Sequence, residues 1–312
     1  MENKIYDFKK IQNLKYGENP HQEAGLYSFN KEIDWELLSS GTLSYNNILD
    51  MTVALEIVSE FFDVFSCAIV KHSNPIAVAL ADSIINSWHK TIDSDIIGIF
   101  NATAAFSKGI SLQDAKTFSL AGIGMIVAPN YSKEALEELK KNKNLKIVKI
   151  NTPLKDVQSF LDEEIKLTPF GALIQQKDKK DFDLSSFKVV SKTKPEQKVL
   201  EDMIFAFKTV KHVKSGAIVV AKDLRTIGIS GGQTSRVGGV ELALSKICDS
   251  AKDAVIASDG AIATKDNIQI AVQNRIAGII QPMGSSKDGE IIKEADKYSI
   301  SMVSTGIRHF KH

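Results

Sequence analysis

Short apolar runs rich in β-branched residues alternate along the chain with longer amphipathic stretches. Apolar runs bounded by turn residues indicate buried strands, and apolar positions three and four residues apart indicate helices. The predicted strands are residues 67–70, 95–100, 124–128, 145–150, 216–221, 254–257, 278–281 and 301–303. The predicted helices are residues 51–62, 75–90, 112–119, 133–142, 195–211, 233–250, 265–275 and 288–297. Strands that alternate with helices in this way predict an α/β protein with largely parallel sheets.

The two halves of the chain share a recurring pattern. CAIV at 67–70 is similar to GAIV at 216–219, and each half later runs from a strand through a proline, Pro129 or Pro282, and a Ser-Lys pair into an acidic helix start. The nearly constant spacing predicts an internal duplication with halves 1–194 and 195–312. A chance likeness stays open, since any two α/β units share such a pattern.

The charge balance excludes a generally basic surface. The chain has 39 lysine and arginine residues against 38 aspartate and glutamate residues, for a net charge of +1, so no nucleic-acid partner is expected. No apolar run approaches the roughly 20 residues of a membrane span, so no membrane partner is expected either. The charged amino terminus lacks an apolar targeting segment, and two cysteines cannot build a disulfide framework. We expect a soluble cytoplasmic protein.

Arginine is scarce, and the few arginines are therefore candidate anion sites. A planar guanidinium binds carboxylate and phosphate groups through two parallel hydrogen bonds, which lysine cannot do. The only arginines in the chain are Arg225, Arg236, Arg275 and Arg308.

Two motifs follow predicted strands, where open α/β sheets bind ligands. In AIVKHSNP, Lys71 and His72 stand at the end of a strand; histidine suits proton transfer near neutral pH, and lysine can stabilise an oxyanion. In GISGGQTSR, paired glycines precede a helix that Gln233 opens, with Arg236 near its positive end, as in an anion site. A surface Lys-His pair and a plain glycine turn are the alternatives.

Two further segments carry several distinct polar groups. The carboxyl-terminal SMVSTGIRHFKH places Arg308 and His312 after a predicted strand, and LKYGENPHQ places Lys15 and Tyr16 in a turn-rich loop. A solvated tail and an ordinary surface loop are the alternatives. The six histidines do not fall at ligand spacings with cysteines or carboxylates, so no metal site is predicted.

Taken together, these segments resemble one family. LKYGENPHQ, LSYNNILD, IVKHSNP, KSGAIVVAKD, TIGISGGQTSR, ASDG, IIQPMGSSKDGEII and TGIRHFKH occur in this order between residues 11 and 312, as in the AICAR transformylase domain of the bifunctional purine biosynthesis protein. The resemblance implies formyl transfer from 10-formyltetrahydrofolate, as co-substrate, to the 5-amino group of AICAR. It also implies a fold of duplicated cytidine-deaminase-like α/β/α units and a homodimer with active sites at its interface. Because the chain begins shortly before the first motif, we expect no IMP cyclohydrolase domain here and a separate cyclohydrolase as a partner.

The resemblance assigns roles to residues of this chain. His72 would take the proton from the amine, and Lys71 would steady the developing charge; His312 matches a third functional position. The positions that match the family's substrate-binding residues are Lys15, Tyr16, Asn101, Gly124, Gly216, Arg236 and Arg308. The positions that match its folate side are Asp259, Asp266, Asn267, Ser285 and Ser286.

Several positions depart from the family pattern. Gly216 stands where the family has a catalytic asparagine, Gly124 where it has an acidic residue, and Asn101 where it has a glycine. The stretch 257–264 reads ASDGAIAT and lacks the family's phenylalanines, which removes stacking area for a folate. Two alternatives therefore stay open: a formyltransferase with a different donor or acceptor, and a weakly active protein that binds AICAR-like nucleotides.

Overall fold

The computed structural model describes residues 4–28, 32–94, 98–118, 121–180, 186–245, 247 and 251–312. Its strands are β1 (Lys9–Leu14), β2 (Ala24–Ser28), β3 (Trp35–Leu37), β4 (Phe65–Lys71), β5 (Asn74–Ala81), β6 (Thr103–Phe106), β7 (Met125–Ala128), β8 (Lys146–Ile150), β9 (Glu163–Thr168), β10 (Gly171–Gln176), β11 (Lys188–Val189), β12 (Ile218–Lys222), β13 (Arg225–Ser230), β14 (Val255–Ser258), β15 (Gly278–Gln281) and β16 (Ser301–Ser304). Its helices are α1 (Tyr45–Ser59), α2 (Ile84–Ile92), α3 (Leu112–Phe118), α4 (Lys133–Leu139), α5 (Gln197–Val210), α6 (Arg236–Ser245), α7 (Lys265–Gln273) and α8 (Asp288–Lys297), with a 3-10 helix at Leu154–Ser159.

Most described strands form one mixed sheet. Its order is β11-β16-β15-β14-β12-β13-β5-β4-β6-β7-β8-β3, and β1-β2 and β9-β10 are separate two-stranded sheets. Only β6-β7, β7-β8, β14-β15 and β15-β16 are parallel among the described neighbours. The α/β class is confirmed, but the prediction of a largely parallel sheet is wrong. Two of the antiparallel pairs, β4-β5 and β12-β13, are hairpins that connect directly without a crossover helix.

Two predicted elements differ from the structure. The helix predicted at 75–90 is strand β5 followed by the shorter helix α2. After Asn74, PIAVALA is a continuous apolar run, and such a run suits a strand buried on both faces as well as a helix. Its pairing with β4 and β13 shows that it is a strand. The strand predicted at 95–100 lies partly outside the described residues, and 98–100 form a turn before β6.

The sheet is covered by helices on both faces. On one face α1 and α5 share a single apolar core with strands of both halves, and the rings of Phe61 and Phe205 meet at 5.5 Å. On the other face α2, α3 and α4 cover β4, β6, β7 and β8, where Trp88 packs on Phe118 at 4.8 Å. There, α6, α7 and α8 cover the strands of the second half. Alternate residues of each strand pack into the two cores, because successive side chains of a strand point to opposite faces of the sheet.

The two sides of the sheet have the same sequence of elements. Outward from the centre, β5-β4-β6-β7-β8-β3 is matched by β13-β12-β14-β15-β16-β11, and β5 meets β13 at Ala79 and Arg225. Because this central pair is antiparallel, the carboxyl end of β4, the amino end of β12 and the carboxyl ends of β13 and β14 lie along one edge of the sheet. None of the described helices is long and apolar enough to cross a membrane.

Candidate active site

The Lys-His motif forms the tip of a hairpin. Lys71 ends β4 and pairs with Asn74 of β5, so His72 and Ser73 are the two residues of the turn. Their φ angles are 54° and 57°, as in a type I′ hairpin turn. The side chain of His72 is exposed, which leaves its ring open to a substrate.

Lys71 reaches toward the loop before β6. Its Nζ donates a 2.8 Å hydrogen bond to the carbonyl of Phe100, and the next residue, Asn101, lies against Gly124. A Cβ at Gly124 would lie 2.5 Å from Oδ1 of Asn101, so the asparagine occupies the space that a side chain at 124 would need. The two departures from the family pattern are therefore coupled by packing. Asn101 and Gly124 lie at the amino ends of β6 and β7 and not at carboxyl ends, because β4 runs antiparallel to β6.

A cleft joins the Lys-His hairpin to the glycine-rich motif. Its volume is about 260 Å³, and it opens between the two halves of the sheet. The lining residues are Lys71, Asn74, Pro75, Ile76, Val213, Ile229, Ser230, Gly231 and Leu242. No motif contained Val213 or Leu242, and their apolar side chains carry no sequence signal that separates them from ordinary core positions.

Arg236 is held by a buried carboxylate. Helix α6 begins at Arg236, three residues later than predicted, and NH1 of this arginine contacts Oδ1 of Asp259 at 2.6 Å and Oγ of Ser258 at 3.0 Å. The side chain of Asp259 is 0% exposed, and its Oδ2 accepts a 3.0 Å hydrogen bond from the N–H of Gly216. Asp259 therefore offers no free surface to a ligand and instead orients the guanidinium.

Two glycines allow this arrangement. Gly216 has φ +79°, and a Cβ there would overlap the carbonyl oxygen of Gln233. A Cβ at Gly260 would overlap NH2 of Arg236 and lie 2.7 Å from Cε1 of Phe310. The backbone of the glycine-rich loop therefore occupies the space of a side chain at 216, and the side chains of Arg236 and Phe310 occupy that of a side chain at 260.

The carboxyl-terminal segment packs beside these residues and does not extend as a free tail. The N–H of Lys311 donates to Oγ of Ser215 at 2.7 Å, and the N–H of His309 donates to the carbonyl of Asp259 at 3.1 Å. The guanidinium of Arg308 lies 4.3 Å from the ring centre of Phe310. The carbonyl of His312 accepts a 2.5 Å hydrogen bond from Nζ of Lys166 on β9.

A buried network of charged side chains ties this segment to α1. Glu56 contacts Nζ of Lys311 at 3.1 Å, and Glu60 contacts Nζ of Lys211 at 2.9 Å and Nε2 of His212 at 3.2 Å. Burial raises the pKa of Glu60, but the hydrogen bond from His212 and the charges of His212 and Lys211 outweigh burial and lower this pKa to about 2. The Glu60 carboxylate is thus ionised at neutral pH, and the ion pairs hold the two halves together.

The residues matched to the family's folate side lie after β14 and β15, in the loops that follow these strands and in the first turn of α7. Asn267 is buried, its Nδ2 donates to Oγ1 of Thr264 at 3.0 Å, and its Oδ1 has no hydrogen-bond partner among the described residues. Asp266 precedes it in the first turn of α7. The N–H of Ser285 donates to Asp288 at 3.1 Å, and Ser286 is exposed.

The amino-terminal motif lies against the start of α1. Lys15 is exposed and Tyr16 is half-buried; the carbonyl of Glu18 accepts a 3.3 Å hydrogen bond from Nδ2 of Asn46. The loop is thereby attached to the helix that underlies the Lys-His hairpin. Among the described residues, no group of three or more His, Cys, Asp or Glu side chains is placed to hold a metal ion.

Comparison with known proteins identifies relatives. A model of the AICARFT/IMPCHase bienzyme family matches residues 2–246. The chain is 40% identical over 311 residues to the bifunctional purine biosynthesis protein PurH of Thermoanaerobacter sp. (strain X514), covering 98% of this chain and 60% of that protein. It is 38% identical over 312 residues to PurH of Bacillus subtilis (strain 168), with 98% and 60% covered. The solved structure of Acinetobacter baumannii RibD, form 1, has a TM-score of only 0.27 at 10% identity, over 81% of this chain and 79% of that one. That likeness is too weak to carry an inference.

Proposed function

Because the chain belongs to the AICARFT/IMPCHase bienzyme family, we propose that it is an AICAR formyltransferase of purine biosynthesis. It transfers the formyl group of 10-formyltetrahydrofolate to the 5-amino group of AICAR and releases FAICAR. The chain spans about 60% of the length of the curated relatives it matches. The observation that carries it is the cleft in which Lys71 of the Lys-His hairpin faces Ser230 and Gly231 of the glycine-rich loop.

In the proposed reaction the amine nitrogen of AICAR attacks the formyl carbon, the bond from that carbon to N10 of the folate breaks, and N10 takes up a proton. His72 accepts the proton that leaves the amine, and its exposed position at the hairpin tip suits this role. Lys71 gives one N–H to Phe100. Its other two N–H groups are left to stabilise the negative charge that develops on the formyl oxygen.

The nucleotide is proposed to bind through the cationic groups around Phe310. Arg308 and Arg236 face this ring at 4.3 Å and 5.8 Å, and together they place positive charge near the carboxyl-terminal His312. A phosphate group suits such paired guanidinium groups because their planar N–H forks match its oxygens. Lys15, Tyr16, Asn101, Gly124 and Gly216 complete the proposed nucleotide site.

The folate is proposed to lie against the loops after β14 and β15, near Asp266, Asn267, Ser285 and Ser286. The buried Oδ1 of Asn267, which has no hydrogen-bond partner among the described residues, fits an N–H donor of the pterin ring, since a buried acceptor is costly to leave unsatisfied. Asp259 contributes by orienting Arg236.

A second candidate is a formyltransferase with a different donor. It is favoured by the glycine-rich loop, whose backbone at Gln233 fills the space of a side chain at Gly216, and by the absence of phenylalanine between 257 and 264. A smaller donor would need less stacking area than a pterin.

The deciding experiment incubates the purified chain with AICAR, with and without 10-formyltetrahydrofolate, and follows the product mass. We expect folate-dependent addition of one formyl group, and its loss in His72→Ala with AICAR affinity retained. Formylation from another donor alone would favour the second candidate. Tight AICAR binding without turnover from any donor would refute both formyltransferase candidates and favour a nucleotide-binding protein.

The fold is proposed to derive from duplication of a cytidine-deaminase-like unit, with halves 1–194 and 195–312. The matching order of strands on the two sides of the sheet supports this. We also propose a cytoplasmic homodimer. The dimer is supported by the β9-β10 hairpin, whose Leu167 and Phe170 are 86% and 101% exposed and whose Lys166 contacts the carboxyl terminus.

A further inference from the structure

We propose that Asp50, on α1, is the positioning residue that holds His72 in place for proton transfer; the inference rests on the formyl transfer proposed above. Oδ1 of Asp50 accepts a 2.7 Å hydrogen bond from the N–H of Ser73, the residue after His72. From the other side, Nδ2 of Asn74 donates to the carbonyl of His72 at 3.0 Å. The peptide that links His72 to Ser73 is thus held at both its N–H and its C=O.

The turn needs this support because its backbone is strained. His72 and Ser73 both have positive φ, at 54° and 57°, a conformation that asparagine and glycine adopt readily and other residues adopt at a cost. Strained non-glycine positions persist where surrounding contacts over-determine them, and they cluster at active sites. The Asp50 carboxylate provides such a contact, since it accepts the hydrogen bond from the N–H of Ser73.

Ionisation of the Asp50 carboxylate strengthens the clamp. Burial raises the pKa of Asp50, whereas the backbone N–H groups of Ser73 and His72 and the charges of His72 and Lys71 oppose that rise. Lys71 on β4 and His72 in the turn are the titratable groups that face Asp50, from the hairpin packed against α1. An ionised carboxylate makes a stronger hydrogen bond than a protonated one, so the clamp weakens as pH falls through the pKa of Asp50.

The second half contains the same clamp without a histidine. Asp202 of α5 accepts hydrogen bonds of 3.0 and 2.7 Å from the N–H groups of Asp223 and Leu224. These two residues form the turn between β12 and β13 with φ of 54° and 56°, and burial likewise raises the pKa of Asp202. Because this turn lies at the opposite edge of the sheet from the cleft, Asp202 is a matched control for purely structural effects.

The test compares Asp50→Ala, Asp50→Asn and Asp202→Ala with the unchanged chain, using AICAR and 10-formyltetrahydrofolate. Asp50→Ala should lower kcat by roughly 10- to 100-fold with little change in KM for AICAR, because a misplaced base harms the chemical step more than binding. Asp50→Asn keeps an acceptor oxygen and should retain most of the rate. Its pH–rate profile should lack the fall at acidic pH that protonation of Asp50 causes. Asp202→Ala should lower the unfolding midpoint as Asp50→Ala does and leave kcat unchanged. Equal losses of kcat in the two alanine variants, or none in Asp50→Ala, overturn the inference.

Hydrogen exchange separates this inference from the proposed function. In Asp50→Ala the amide of Ser73 should exchange faster, while the amides of Asp223 and Leu224 stay protected. A wild-type chain that transfers no formyl group would defeat the proposed function, and the exchange result would still decide whether Asp50 clamps the turn. Unchanged protection at Ser73 overturns the clamp whatever the activity.

Discussion

Gly216 offers a stringent test of how the glycine-rich loop packs. Its φ is +79°, and a Cβ at this position would overlap the carbonyl oxygen of Gln233. Gly232, in the same loop, has φ +68°, but a Cβ there would meet no other atom within 4 Å. Alanine at 232 therefore meets only the left-handed backbone strain, whereas alanine at 216 meets the strain and the overlap together.

The two substitutions differ by a predictable amount. Left-handed φ costs an alanine roughly 1–2 kcal/mol, and we expect this loss of unfolding free energy for Gly232→Ala. Forcing extra volume into a packed site typically adds about 1–3 kcal/mol, so Gly216→Ala should lose more by that margin. Gly216→Asn, the family's residue, tolerates the backbone better but carries the same Cβ, so it should also be destabilised.

Urea unfolding followed by circular dichroism measures these differences, since the midpoint shifts in proportion to the lost stability while the slope stays constant. Equal urea midpoints for Gly216→Ala and Gly232→Ala would refute the reasoning, because the carbonyl of Gln233 would then cause no steric cost at residue 216. A stable Gly216→Asn variant with gained activity would show that the loop moves aside at little cost.

Three further predictions concern other contacts. Because the pKa of Glu60 is lowered to about 2, its ion pairs stabilise the fold above the ordinary glutamate pKa and are lost as pH falls from there toward 2. Glu60→Gln should flatten this part of the curve of unfolding free energy against pH. Parallel curves for the two proteins would contradict the assignment. Gly260→Ala should displace Arg236 and weaken nucleotide binding measured by calorimetry. Gly289→Ala should not, because a Cβ there would meet no other atom within 4 Å. Equal nucleotide affinities of the two variants would count against Arg236 as a nucleotide-binding residue. Phe170→Asp should convert a dimer to a monomer by light scattering, with Gln175→Asp as an exposed polar control on β10; an unchanged mass would remove the hairpin from the interface.

The local pattern predicts many elements closely. Helix α8 spans the predicted 288–297 and strand β15 the predicted 278–281, because amphipathic period and β-branched content are properties of neighbouring residues. The pattern does not reveal strands β5 and β13. After Asn74, the segment PIAVALA is apolar throughout, and only pairing across the sheet shows it to be extended.

The candidate site is likewise only partly predictable from the sequence. Each motif is visible in the sequence, as is the resemblance to the AICAR transformylase family, which the comparisons confirm. That Asp259 is enclosed by Arg236 and Gly216 could not be predicted, because partners 23 and 43 residues away are chosen by packing. The role of Asp50 is equally hidden, since an aspartate on a helix has no sequence signal for the turn it contacts.

The α/β class, most helices and the residues that carry the family resemblance can be read from the order of residues along the chain. Those properties depend on composition and on spacing along the chain, which folding does not alter. The tertiary structure alone decided that β4 and β5 form a hairpin, that the Lys-His turn shares a cleft with Gly231, and that glycine is required at 216. These depend on contacts between distant segments, and the close packing of the interior selects one arrangement of them.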